Sequence, residues 1–294
     1  MSLLAASPWA FVALAAAFGL MVGSFLNVVI HRLPVVLERQ WRAQAAEVEG
    51  RAPPAPGPRY NLVHPRSRCP ACDAPIRAIH NLPLLSWFVL RGRCASCQAP
   101  ISARYPLVEL ATGLAFAAVA WHFGFGLKAA CGFVFTAYLI ALTGIDLDKQ
   151  LLPDVLTLPL LWIGLILSIW PGASGAQPPP ATPFDAIAGA AIGYLFLWLV
   201  FQLFRLMTGK EGMGYGDFKL FGAIGAWLGW QMLPLVLLLS AVVGALVGVL
   251  LIVMRRHGRG VPIPFGPYLA GAGWIALLWG PQIVDRYLLV AGLR

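Results

Sequence analysis

Long apolar runs dominate the chain and set its predicted elements. A membrane-spanning helix needs about 20 apolar residues, and eight segments approach this length, although the sixth is short. Prolines stand at or near several of the predicted starts, where the fixed φ angle and the missing N–H cost little. The pattern therefore predicts an all-α polytopic membrane protein of about eight transmembrane helices, at about residues 9–30, 105–123, 129–146, 153–170, 184–206, 218–230, 233–254 and 264–280.

Composition narrows the class of protein further. Apolar residues make up 59% of the 294 residues and charged residues 11%, whereas a soluble domain carries about 25% charged residues. This excludes an ordinary soluble enzyme, and the apolar excess excludes a disordered chain. The first apolar run is too long for the core of a cleavable signal peptide and has no small-residue cleavage site after it, so we interpret it as a retained helix.

The segment 31–104 differs from the rest of the chain. It holds 11 of the 21 Lys and Arg residues and four cysteines arranged in two pairs. Its first half, with Pro53, Pro54, Pro56 and Pro58, is expected to form a polar linker, and its second half a compact metal-bound lobe. We therefore predict a first transmembrane helix over 1–30, a lobe over 31–104 and a transmembrane bundle over 105–294, with a loop at 171–183 and no convincing internal repeat.

The formal net charge of +9 is explained by basic loops on one side of a membrane. If 31–104 is cytoplasmic, alternate loops place 18 Lys and Arg inside and 3 outside, or 7 and 3 without the long loop. The positive-inside rule then puts this segment in the cytoplasm and both chain ends outside. Nucleic-acid binding is disfavoured because no aromatic or motif support accompanies the charge.

The paired cysteines are the first chemical signal. Cys69-x-x-Cys72 and Cys94-x-x-Cys97 supply four thiolates, which suit tetrahedral zinc. Disulfides and redox pairs are the alternatives, and a cytoplasmic location disfavours stable disulfides. Four protein ligands leave no open position on the metal, so we expect structural Zn²⁺ that folds the lobe.

Acidic residues near the predicted membrane surface are the second signal. Asp146, Asp148 and Asp154 surround the turn after the third helix, and Glu211 and Asp217 precede the sixth. Asp146 stands out because a negative charge at a helix C-terminus opposes the dipole. Two adjacent carboxylates could share one proton and act as base and acid on a peptide bond. Solvated loop charges, helix-cap roles and a transporter relay, with Glu109 as an intramembrane acid, stay open as alternatives.

The third signal is the loop Gly212-Met-Gly214-Tyr-Gly216-Asp217. Alternating glycines allow backbone conformations closed to other residues, and would let an extended substrate strand approach the aspartate. A flexible interhelical turn is the simpler alternative. The chain has no Gly-x-Ser-x-Gly, His-Glu-x-x-His or Walker A sequence.

Taken together, these residues resemble the bacterial type IV prepilin peptidases, the leader peptidase/N-methyltransferase family. The resemblance runs nearly from end to end. Besides the double Cys-x-x-Cys lobe and the Gly-rich loop, it rests on four motifs: Gly23-Ser-Phe-Leu-Asn27-Val-Val-Ile-His31-Arg-Leu-Pro34, Arg104-Tyr-Pro-Leu-Val-Glu109, Ile145-Asp146-Leu-Asp148-Lys-Gln-Leu-Leu-Pro153-Asp154 and Pro262-Ile-Pro-Phe-Gly-Pro267.

This resemblance implies a Gly-x-Gly-Asp membrane aspartic protease with Asp146 and Asp217 as the catalytic pair. It implies cleavage of prepilins and of type II secretion pseudopilins after a glycine, on the cytoplasmic face of the bacterial inner membrane. It also implies methylation of the new N-terminal residue with S-adenosylmethionine. The residues show no binding site for that methyl donor. The alternatives to a peptidase are a proton-coupled transporter with a regulatory zinc lobe and a non-enzymatic pilus assembly factor.

Overall fold

The computed structural model describes residues 7–52, 59–69, 71–76, 82–170, 181–254 and 263–292. Within these ranges the fold is all-helical, without a named strand, which confirms the predicted fold class. Each of the eight predicted apolar segments forms a helix. The helices are α1 (Pro8–Val48), a short α2 (Leu85–Val89), α3 (Arg104–Phe123), α4 (Leu127–Lys149), α5 (Asp154–Ile169), α6 (Pro183–Thr208), α7 (Tyr215–Leu228), α8 (Leu233–Val253) and α9 (Gly266–Val290), with a 3₁₀ turn at Trp230–Met232.

Length and apolar character separate these helices into two groups. Among the described residues, five helices are long and apolar enough to cross a membrane: α1, α3, α4, α6, and α8 with the 3₁₀ turn before it. At 1.5 Å per residue, the 14 residues of α7 extend only about 21 Å. The hydrocarbon core of a bilayer is about 30 Å thick, so α7 is too short to cross it.

Two predicted helix ends were wrong. α1 continues 18 residues past Ile30 to Val48, because the polar stretch after Ile30 is rich in Leu, Glu, Arg, Gln and Ala, which favour helix. Residues 31–48 are therefore helix and not linker. α9 likewise continues from residue 280 to Val290. The predicted proline-rich linker at 53–58, and most of the predicted loop at 171–183, lie outside the described residues.

The chain divides into two compact units, Met1–Gly124 and Phe125–Arg294. In the first unit, α1 packs along α3 through a Gly19-x-x-x-Gly23 stripe. A Cβ built on Gly23 would lie 2.7 Å from the Glu109 Cα atom, so only glycine permits this approach. The buried Asn27 side chain donates to the Tyr105 carbonyl, with Nδ2 and O separated by 3.0 Å. Small residues that bring backbones together are the usual means of joining membrane helices.

In the second unit, α7 lies at the centre. Every residue from Leu220 to Leu228 is buried, as expected for a helix that is surrounded by other helices. Gly189 and Gly193 of α6 meet the α7 backbone at Gly225 and Phe221, where an added Cβ would clash. This packing fixes the position of α7, and thereby of Asp217 in its first turn.

The Trp227 side chain of α7 packs against the neighbouring helix α5. The Trp227 indole N–H donates to the Leu160 carbonyl of α5, 2.7 Å away. Its ring lies against Gly164, where a Cβ would be 2.6 Å from the indole Cδ1 atom. The Trp274 indole of α9 donates to the Thr136 hydroxyl of α4. The ends of α4, α7 and α9 are therefore held by packing along the helices.

Candidate active site and metal centre

Asp146 lies in the last turn of α4, which is capped by Gln150 with a left-handed φ of 50°. The Asp146 side chain is buried, at 5% exposed. Its Oδ2 atom accepts a hydrogen bond from the Gly266 N–H, with N and Oδ2 separated by 3.0 Å. Gly266 is the first residue of α9, and the N-terminus of a helix is a natural partner for a carboxylate. A charge unfavourable for its own helix is thus stabilised by another helix.

Asp217 lies in the first turn of α7 and is 7% exposed. The Gly214 N–H donates to its Oδ2 atom, 3.2 Å away. Among the described residues, its buried Oδ1 atom has no hydrogen-bond partner. Buried polar atoms are normally paired, so a lone one needs an explanation. The atom would be explained if it held a proton shared with a second carboxylate, or if it faced a water molecule that attacks a substrate.

The two carboxylates lie in one site although 71 positions separate them in the sequence. The Asp146 charge acts on Asp217 electrostatically. Leu152 contacts the backbone beside both: a Cβ on Gly216 would be 2.6 Å from Leu152 Cβ, and a Cβ on Gly266 would be 3.2 Å from Leu152 Cδ1. Two neighbouring buried carboxylates cannot both ionise freely, which favours a single proton shared between them. The arrangement can therefore act as an acid–base pair.

Three glycines of the loop do not adopt the special backbone angles that their pattern predicted. Gly209 has a positive φ, but Gly212, Gly214 and Gly216 do not. At two of these positions a larger residue would clash with a neighbour. A Cβ on Gly212 would lie 2.8 Å from the Phe204 ring, and a Cβ on Gly216 would contact Leu152. The alternating pattern therefore reflects close packing around Asp217 more than unusual backbone angles.

The remaining acidic residues stand apart from this pair. Asp154 is exposed and forms an ion pair with Lys219, at 2.6 Å from Oδ1 to Nζ. Asp148 and Glu211 are exposed. Glu109 belongs to the first unit, where it accepts a hydrogen bond from the Leu84 N–H. Asp185, which the sequence interpretation missed, accepts from Thr182, Trp230 and Gln231 at the start of α6.

Gly266 is a functional candidate that the sequence interpretation did not single out. A Cβ at this position would lie 2.6 Å from Asp146 Oδ2, so alanine would displace the carboxylate. We expect Gly266→Ala to lower the rate of peptide cleavage by about 10²-fold, the usual cost of misplacing a reacting group by about 1 Å. Purified variants compared in a peptide-cleavage assay would measure this.

Gly271→Ala is the matched control on the same helix, because nothing lies within 4 Å of its Cβ position. It is expected to cleave at the rate of the unmodified chain. Equal rates for Gly266→Ala and Gly271→Ala would contradict the role given to Gly266.

The Lys219–Asp154 pair joins the first turn of α7 to that of α5. Both side chains are partly exposed, so the pair adds little to stability. We expect Lys219→Met to reduce cleavage about tenfold with little change in melting temperature, because the turn that carries Asp217 loses its tether. The exchanged pair Lys219→Asp with Asp154→Lys should recover part of the loss, as a double-mutant cycle would show. No recovery would argue against positioning by the pair.

The four paired cysteines come together in the first unit. The sulfurs of Cys69, Cys72, Cys94 and Cys97 lie within 4.8 Å of one another, and all four are free thiols. The Cys69 and Cys97 sulfurs are 3.8 Å apart. Four thiolates at about 2.3 Å from one zinc stand about 3.8 Å apart at tetrahedral corners. The donor set and its spacing therefore fit the predicted metal.

The cluster is built from two copies of one turn, so the absence of an internal repeat was a wrong conclusion. Ser67-Arg-Cys-x-x-Cys-x-Ala-Pro-Ile76 recurs 25 residues later as residues 92–101, with Gly92 in place of serine. Isolated β-bridges join Arg68 to Pro75 and Arg93 to Pro100. In each copy the N–H of the first cysteine donates to the alanine carbonyl. We call residues 67–76 the first cysteine knuckle and residues 92–101 the second. This repeat is the sequence signal that could have revealed the two knuckles.

Backbone N–H groups lower the pKa of one of the four thiols. The N–H groups of Cys97 and Ser96 lower the pKa of the Cys94 thiol to about 6. A thiolate is the form that binds a metal ion. The backbone around Cys94 thus favours the thiolate form of this one residue.

Comparison with known proteins adds the family. Residues 17–123 match the Bacterial Peptidase A24 N-terminal domain, and residues 133–249 match the Type IV leader peptidase family. The chain belongs to the type IV leader peptidase family, and it is an enzyme: a protease with methyltransferase activity.

Several curated relatives cover nearly the whole chain. A prepilin leader peptidase/N-methyltransferase of Stutzerimonas stutzeri is 55% identical over 99% of this chain and 98% of its own length. Its namesake in Pseudomonas aeruginosa is 54% identical over the same shares, and that of Aeromonas hydrophila is 56% identical over 96% and 95%. No solved structure matches the chain.

Proposed function

We propose that this chain is an aspartic endopeptidase that removes the leader of type IV prepilins and type II secretion pseudopilins. In this proposal Asp146 and Asp217 are the catalytic pair, and cleavage follows the last glycine of the leader. The observation that supports it most directly is the buried carboxylate pair, assembled from the ends of α4 and α7 and interacting electrostatically. The names of the full-length relatives support the substrate class.

The proposed reaction is an acid–base hydrolysis. One ionised carboxylate takes a proton from water as the water oxygen attacks the carbonyl carbon, and the protonated carboxyl donates to the carbonyl oxygen. The resulting gem-diol returns a proton to the second carboxylate, and the C–N bond breaks as the first carboxyl protonates the departing nitrogen. The leader gains a carboxyl end and the mature pilin a free α-amine. The proton count of the pair is restored, as for other aspartic proteases.

The Gly266 N–H fixes one of the two carboxylates during this cycle. It favours the charged form of Asp146, because a donor at a helix N-terminus stabilises a carboxylate. The Gly214 N–H holds Asp217 Oδ2 in the same way, so the unpartnered Asp217 Oδ1 is the place left for the shared proton. In this proposal Asp146 activates water and Asp217 protonates the substrate carbonyl.

The orientation belongs to the proposal as well. The excess of Lys and Arg in 31–104 and in alternate loops supports a multi-pass protein of the bacterial inner membrane with these loops in the cytoplasm. A short basic leader would then stay at the cytoplasmic surface, while the apolar segment of the prepilin lies in the bilayer. Residues 31–104 form the cytoplasmic part, in which residues 31–48 continue α1 and the four cysteines hold structural Zn²⁺.

The second activity acts on the product of the first. The new α-amine accepts a methyl group, for which S-adenosylmethionine is the donor in this proposal. The donor's site stays unassigned.

A synthetic prepilin tests the function directly. The purified chain is mixed with a peptide that carries a basic leader, the glycine and the first apolar turns, and products are analysed by mass with and without S-adenosylmethionine. We expect cleavage after the glycine, followed by one additional methyl mass. A peptide with valine in place of that glycine is the matched control. An intact leader, in a preparation that conducts protons into liposomes, would instead support the transporter alternative.

A further inference from the structure

An exposed apolar segment in the first unit has no role in the proposed reaction. It comprises residues 82–89 and includes α2. Leu85, Phe88 and Val89 are 64%, 65% and 79% exposed. Trp87 differs from them: its indole N–H donates to the Ile101 carbonyl and its ring lies against Gly92 of the second cysteine knuckle. One side of α2 is thus anchored to the knuckle, and its large apolar side chains are left uncovered.

Residues 82–89 are hydrogen-bonded to α3 near the N-terminal end of that helix. The Leu84 N–H, which immediately precedes α2, donates to Glu109 Oε2 at 2.8 Å. α3 has 20 residues and is about 30 Å long, which matches the hydrocarbon thickness of a bilayer. Glu109 is the sixth residue of α3, so it lies about 7 Å from the end at Arg104. Residues 82–89 are therefore held at the level where α3 enters the membrane.

Along the chain, the charged residues nearest the segment are basic, and Glu109 is the acidic group that contacts it. No acidic residue occurs between Asp73 and Glu109, whereas Arg91 and Arg93 follow α2 directly. Both arginines are exposed. Large apolar side chains flanked by arginines are typical of segments that lie in a membrane interface, and basic residues near an anionic surface are attracted to it.

We propose that residues 82–89 insert into the leaflet at which α3 begins, with Leu85, Phe88 and Val89 among the upper acyl chains and Arg91 and Arg93 on anionic headgroups. The occupant of this surface is thus the anionic lipid bilayer. The insertion fastens the second cysteine knuckle to the membrane through Trp87, so that the metal lobe has a fixed height above the bilayer. The inference rests on α3 crossing the membrane and not on the peptidase mechanism.

Photocrosslinking in the full-length protein tests this. The photoreactive residue p-benzoylphenylalanine replaces Phe88, and the purified protein is reconstituted in liposomes of phosphatidylethanolamine and phosphatidylglycerol. After irradiation, intact mass reports lipid adducts, and zinc content reports the folded lobe. Val48 is the matched control site: it is apolar and 88% exposed, and it lies 18 residues beyond Ile30, or about 27 Å further along α1.

We expect at least about fivefold more lipid adduct at position 88 than at position 48. Arg91→Gln with Arg93→Gln should lower the yield at position 88 in anionic liposomes and leave it unchanged in zwitterionic ones, because the attraction is electrostatic. Equal lipid yields at the two positions would overturn the proposal. So would crosslinks from position 88 to a second copy of the chain or to added prepilin in place of lipid.

Discussion

Asp217→Asn is expected to abolish leader removal, with a fall in cleavage rate of about 10³-fold or more, the scale seen when one member of a catalytic unit is removed. Asparagine preserves the shape of the side chain but can neither hold nor release the shared proton. Asp146→Asn should have a similar effect, and the double variant should be no slower than either single one, because the two groups act as a unit. Timed digestion of a synthetic prepilin, followed by mass, measures all three variants.

Two controls separate chemistry from folding. Asp148→Asn changes an exposed carboxyl two residues from Asp146 and is expected to cleave normally. The Asn variants should also keep their metal and should still methylate a prepilin supplied without its leader. Normal leader removal by Asp146→Asn or Asp217→Asn would refute the assignment of the pair.

Cys94→Ser is expected to reduce bound zinc from about one ion per chain to less than a tenth of that, because three remaining thiolates no longer complete a structural site. Cys69→Ser should do the same. Without its metal the lobe loses its main source of folding free energy, since the two knuckles contribute few buried side chains. Methyl transfer should then fall more than proteolysis, because the carboxylate pair belongs to the other compact unit.

Metal analysis and both activities are measured on the same preparations. Cys131→Ala is the matched control, because Cys131 is buried within α4 and far in sequence from the knuckles. It should keep the metal and both activities. A Cys94→Ser protein that binds no zinc, yet retains proteolysis and methyl transfer in equal measure, would contradict the role given to the lobe.

The sequence was most informative where one physical signal dominated. Each apolar run became a helix, since a membrane accepts little else. The paired cysteines came together as their spacing predicted. Asp146 drew attention because it opposes the dipole of its own helix, and the structure supplies the compensating donor at Gly266.

What could not be predicted depends on contacts between distant segments. Nothing local identifies Gly266 as a partner of Asp146, because 120 residues separate them. The continuation of α1 to Val48 was missed because the apolar pattern stops while helix propensity does not. The close packing at Gly216 was missed, since its neighbour Leu152 comes from another turn. Such features follow from packing, which the residue types alone leave undetermined.

The shortness of α7 sets the depth of Asp217 in the bilayer. The exposed Trp230 and Gln231 lie just beyond the C-terminal end of α7, and we place them at one headgroup layer. The helix is roughly 21 Å long, so its other end then stops about 9 Å short of the opposite boundary of the hydrocarbon core. Asp217, in the first turn of α7, then lies about 9 Å below that boundary. If this pair is catalytic, as proposed, unwinding about two turns at the end of an apolar substrate helix would bring a peptide bond to the acids while the rest of that helix stays in the lipid.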